Sequence, residues 1–95
     1  MSTKTMYKYE LMIVDDQEIV VPVGAIPRAV GVQGEALLNR PYLWCEVDTR
    51  KEAKSKLTVF ICGTGIPIPT KAKKYIGTFQ LKMRSGTFVG HVYTS

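Results

Sequence analysis

The chain has no apolar run approaching the roughly 18 residues that a membrane-spanning helix requires. Its first residues, Ser2-Thr3-Lys4-Thr5, carry none of the apolar stretch that marks a secretory leader. A soluble, intracellular protein with no membrane partner is therefore expected. Histidine occurs once, at His91, and cysteine twice, at Cys45 and Cys62, with no C-x-x-C spacing. So sparse a set argues against a metal site, and two thiols inside strand-like segments are expected to be buried and free. No serine or cysteine sits in a recognisable nucleophile setting. His91-Val92-Tyr93 also fails the His-x-Thr/Ser pattern of two-histidine phosphodiesterases. No enzyme and no cofactor are expected.

Carboxylates are also scarce in one half of the chain. Residues 1–49 carry four lysines and arginines against seven acids, a balance of −3. Residues 50–95 carry nine against Glu52 alone, a balance of +8, and the whole chain is +5. Such asymmetry predicts a basic face able to attract an anion, or one that only keeps the protein soluble.

Ninety-five residues suit one domain with a thin core, so homo-oligomerisation is a natural supplement. Helical periodicity is absent over any useful length, whereas alternation with a period of two recurs. Tyr7 to Val14 alternates, Asp15-Asp16 reads as a turn, and Gln17 to Val23 follows, so these two segments are expected to form a hairpin. Pro22 marks the second as an edge strand or its end. Arg28 to Gln33 resumes the alternation, and Glu35 to Leu38 could form one helical turn. Tyr42 to Asp48 sets Leu43, Cys45 and Val47 on one face, with Trp44 among polar residues on the other. Trp44 could cap a second cluster, stack on a ligand or join a subunit interface. Thr49 to Lys56 reads as a solvent loop.

Leu57 to Cys62 is apolar on both faces, so both must be covered, by barrel curvature or by another subunit. Tyr75 to Met83 and Thr87 to Tyr93, joined by Arg84-Ser85-Gly86, make the strongest hairpin signal. The expected fold is all-β: a small antiparallel barrel or sandwich of about six strands, in a single domain over residues 1–95.

Gly63-Thr64-Gly65-Ile66-Pro67-Ile68-Pro69 ends the most apolar strand and leads to Lys71, Lys73 and Lys74. It fails the dinucleotide fingerprint, because Ile68 stands where a third glycine belongs and two prolines forbid the following helix. It fails the P-loop pattern at the same position. Two readings stay open: a bulge with a rigid edge loop, or a weaker anion-binding nest of backbone amides. Basic residues interleave with aromatic ones from Tyr75 onward, which would suit a single-strand nucleic-acid binder. Tyr75, Phe79, Leu81 and Met83, however, share the parity of a core face. The outward parity, Ile76 to Arg84, carries no stacking ring.

The segments Tyr7-Lys8-Tyr9-Glu10-Leu11, Leu43 to Asp48, Gly63 to Ile68, Tyr75 to Leu81 and Gly90-His91-Val92-Tyr93 resemble a family of small bacteriophage and prophage proteins of unknown function. Where that family's loop continues with His-Pro, this chain has Ile66-Pro67. The resemblance implies a phage protein in the host cytoplasm that acts by binding. Its expected target is a small anionic, nucleotide-like ligand such as a host anti-phage defence signal, sequestered by a homo-oligomer. In that reading Gly63, Thr64 and Gly65 offer donors, and Lys71, Lys73, Lys74 or Arg84 pair with phosphate. Trp44 or Tyr75 stacks on a base, and His91 adds a hydrogen bond. The alternatives are an inhibitor of a host protein, a single-stranded nucleic-acid binder and a virion component.

Overall fold

In the computed structural model, which describes residues 2–35 and 38–95, period-two alternation translates into seven strands. These are β1 (Lys4–Glu10), β2 (Asp16–Pro22), β3 (Ile26–Gln33), β4 (Arg40–Asp48), β5 (Lys54–Gly63), β6 (Lys74–Met83) and β7 (Gly86–Thr94). They form two antiparallel sheets, ordered β1-β4-β3 and β2-β5-β7-β6. The architecture is an open sandwich and not a closed barrel. The helical turn expected over Glu35 to Leu38 falls partly on residues 36 and 37, outside the described residues.

The core lies between the sheets. Leu43, Cys45 and Val47 of β4 face Val59 and Ile61 of β5, Phe79 and Leu81 of β6, and Val92 of β7. Each comes from the apolar phase of its strand, which is why the alternation was legible. Burial pushes the Cys45 thiol up to about 11, because a thiolate cannot be solvated there. Both cysteines are free and buried. In the β6–β7 hairpin, Phe79 pairs with Gly90, and its ring fills the space that a Cβ at residue 90 would need.

The expected hairpin between the first two strands does not form. β1 pairs with β4 in one sheet, and β2 pairs with β5 in the other. Leu11 keeps the inward phase of Tyr9, is 1% exposed and joins the core between the layers, and the alternation ends there, with Ile13 exposed. Its N–H donates to the Pro41 carbonyl (2.9 Å), and the Ile61 N–H donates to the Asp15 carbonyl (3.1 Å), so the linker is tied to both sheets. The Gln17 side chain closes this crossing by bonding both the N–H and the carbonyl of Met12. Burial of one leucine therefore outweighed the local turn signal of Asp15-Asp16. β5 also begins at Lys54, inside the segment expected to be a loop, because pairing with β2 (Pro22 with Lys54) extends it.

Candidate functional site

β5 and β6 both run antiparallel to β7, so they are parallel to each other and flank it. Parallel strands cannot be joined by a tight turn. The connection from Gly63 to Lys74 must instead cross over β7, and it does so on the outer face, since the inner face is core. The chain leaves at Gly63, opposite Gly90, and re-enters at Lys74, opposite Thr94. That is four residues along β7, about 13 Å at strand rise. The glycine-proline segment is therefore a strap.

The strap's chemistry follows from this geometry. The Ile66 N–H donates to the Gly63 carbonyl (3.1 Å), and Gly65 has φ of 86°. This is the pattern of a type II turn, where the third residue needs positive φ. Pro67 and Pro69 keep the next stretch extended. The far end is fixed by the Lys73 N–H donating to the Thr94 carbonyl (2.9 Å). Ile66, Pro67 and Pro69 line the same cleft as Cys62 on this face. With the strap across that face, Phe60 and Cys62 are only 6% and 5% exposed. The strap thus covers β5 at Cys62, where a closed barrel does not.

Under the strap runs a continuous set of polar contacts. Thr64 Oγ1 lies 2.9 Å from His91 Nε2, and His91 Nδ1 lies 2.9 Å from Thr78 Oγ1. Thr78 is bonded in turn to the Tyr75 hydroxyl. A neutral imidazole offers one donor and one acceptor nitrogen, and rotatable hydroxyls can serve either. Tyr75 and Tyr93 pack edge to face at 5.4 Å. A cavity of about 240 Å³ lies alongside, between Thr64, Gly65, Ile66 and Ile68 of the strap and His91 and Tyr93 of β7.

Tyr75 reaches this face because of a β-bulge. The register shifts between Tyr75 and Gly77, leaving Ile76 as the extra residue. Ile76 packs against the core, while Tyr75 is 56% exposed. This reverses the parity expected from the sequence, in which Tyr75 faced the core and Ile76 faced out.

Of the anticipated site residues, Gly63, Thr64, Gly65, Tyr75 and His91 come together. Lys71, Lys73 and Lys74 are exposed and cluster at the opposite end of the strap from the glycines. The amides and the ammonium groups therefore do not converge on one phosphate-sized point, and the Ile66 amide is already used. Trp44 does not belong here. It lies on the outer face of the other sheet, against Gly31 and 6.1 Å from the Tyr42 ring. Its alternation with buried Leu43 and Cys45 forces that side. Arg84 is also elsewhere, beyond Met83 on β6, a strand run on the order of 25 Å from Tyr75. Thr78 was missed, since nothing in a strand threonine signals a histidine partner 13 residues away.

The matching family model, described as a domain of unknown function (DUF7352), covers residues 2–95. The chain belongs to the DUF7352 family. No curated protein and no solved structure matches it. The strap, the bulge and the threonine–histidine–threonine–tyrosine set are thus features of a DUF7352 domain. Among the described residues of this DUF7352 chain, no helix is long and apolar enough to cross a membrane.

Proposed function

We propose that this domain binds a small anionic, nucleotide-like ligand on the strap face without transforming it. The observation that carries this reading is the convergence of Thr64, His91, Thr78 and Tyr75 on one surface, with an exposed phenol ring that follows the strap end carrying Lys71, Lys73 and Lys74. A ring that can stack, hydroxyl and imidazole groups that can exchange partners, and cations beyond them suit a base, a sugar and a phosphate in sequence. The 13 Å between the strap's ends matches an extended ligand better than a compact ion. The resemblance to phage proteins supports a phage-encoded homo-oligomer that sequesters a host defence nucleotide in the host cytoplasm.

Calorimetric titration with mono-, di- and cyclic nucleotides tests this reading. Lys73→Glu is expected to weaken binding at least tenfold with an unchanged melting temperature. Unaltered affinity in that variant removes the strap from the site. The bulge that exposes Tyr75 also favours a second reading, single-stranded nucleic acid bound by stacking and charge. That reading requires affinity for oligonucleotides to fall steeply with salt, and a flat response rules it out.

A further inference from the structure

A second concavity lies where the β1–β2 linker, the start of β4 and the end of β6 meet. Its volume is about 540 Å³, and three cations from two different elements and a turn surround it: Arg40, Lys82 and Arg84. Among the described residues none of the three forms an ion pair; Arg40 donates one long bond to the Asn39 carbonyl (3.4 Å). Glu10 also lines the cleft and leaves the local balance positive. The floor is apolar, with buried Leu11 and Leu81 below and Met12 and Met83 at the rim.

This cleft does not end in solvent. Ile13 lines it and also lines an adjoining groove of about 570 Å³. The groove continues between Val14 and the strap residues Ile66 and Pro67, with Phe88 at its base. Met12 and Ile66 are each 62% exposed, and Ile13, Val14 and Met83 are exposed as well. Exposed apolar side chains therefore run from the cleft into the groove. Asp15 and Asp16 line the groove, so an anionic head group is repelled there and attracted at Arg40, Lys82 and Arg84.

The geometry points to a binding site for a single-chain anionic amphiphile of the fatty-acid class, whose head-group end lies apart from the strap-face site and whose far end shares Ile66 with it. Its head group sits among Arg40, Lys82 and Arg84, and its chain runs past Ile13 into the groove beside Ile66 and Phe88. The opposed charges of cleft and groove give the ligand one direction. Concavity favours one enclosed molecule over a bilayer, which would meet a protruding surface.

Calorimetry with octanoate, decanoate and dodecanoate, each below its micelle concentration, tests the assignment. One molecule per chain is expected, with affinity rising by up to about fourfold for each methylene buried. Lys82→Glu combined with Arg84→Glu should weaken dodecanoate at least tenfold, while Ile66→Ser should flatten the dependence on chain length. Both changes are at exposed positions, and thermal melting checks the fold. Absence of dodecanoate binding, affinity independent of chain length, or inorganic phosphate binding as tightly overturns the proposal. Binding only to phosphatidylglycerol vesicles also overturns it, in favour of a membrane surface. Nucleotide titration of the double variant separates the two sites: retained nucleotide affinity with lost dodecanoate is the expected pattern.

Discussion

The two outer faces of the sandwich solve the same problem with opposite chemistry. On the β1-β4-β3 sheet, charges are paired side by side: Glu46 with Arg28 (3.2 Å) and Lys4 (3.9 Å), and Asp48 with Arg50 (3.0 Å). Lys8 lies over the Tyr42 ring at 4.7 Å and also bonds Gln33. On the β2-β5-β7-β6 sheet, the groups bound to each other are neutral hydroxyls, an imidazole and a phenol, and the strap's lysines make no ion pair among the described residues. A face whose cations are already matched has little to offer an anion. A face whose cations are unmatched, and whose neutral partners can rotate, has more. This contrast separates the two faces better than net charge does.

The largest effect that sharpens the contrast is in the core common to both faces. Leu43→Ala should cost about 2–5 kcal/mol, because it leaves a cavity between the sheets. Trp44→Ala, one residue along but on the paired outer face, should cost clearly less in the same denaturant titration. Equal losses would mean that the outer cluster around Trp44 is as tightly packed as the core.

A smaller effect is expected from His91→Ala, which removes both ring contacts and should cost about 1–2 kcal/mol. Its distinctive readout is the strap. Trypsin should cleave faster after Lys71 and Lys73 in this variant, and Trp44→Ala should leave that rate unchanged. If cleavage is unaltered, the turn at Gly63 to Ile66 and the Lys73 backbone bond hold the strap without the histidine.

The smallest effects belong to the charged face. Glu46→Gln should cost no more than about 1 kcal/mol, and the difference should vanish in molar salt. Asp48 is held well below the usual carboxylate range by hydrogen bonds from the Arg50 guanidinium and backbone N–H. Because its folded value is depressed, its contribution is present above the unfolded value of about 3.9 and is lost as pH falls below that. Asp48→Asn should therefore flatten the acid limb of a stability–pH profile. An unchanged limb would assign acid sensitivity elsewhere.

Much of the fold was legible because alternation is a local property. The phase of β4 can be read from Leu43, Cys45 and Val47 alone, and the β6–β7 hairpin from Gly86, whose φ is 127°. The site was legible only in pieces. Thr64, Tyr75 and His91 stood out as types, yet their meeting depends on a bulge at Ile76 and on the order of strands in the sheet. Arg84 and the strap lysines looked like one basic cluster because they are close in sequence, but they lie at opposite ends of β6.

The sequence by itself determined that the chain is all-β, that Leu43, Cys45 and Val47 of β4 face the core, and that both cysteines are buried. Each of these follows from side-chain chemistry repeated every second residue, and solvent enforces it wherever the strand lies. Only the tertiary structure decided which strands are neighbours. Pairing β2 with β5 in place of β1 and setting β7 between β5 and β6 are long-range choices, settled by burial of Leu11 and by closure of the core. Once β7 lies between its neighbours, Gly63-Thr64-Gly65-Ile66-Pro67 has to cross it, and a loop of unremarkable sequence becomes the roof of the candidate site.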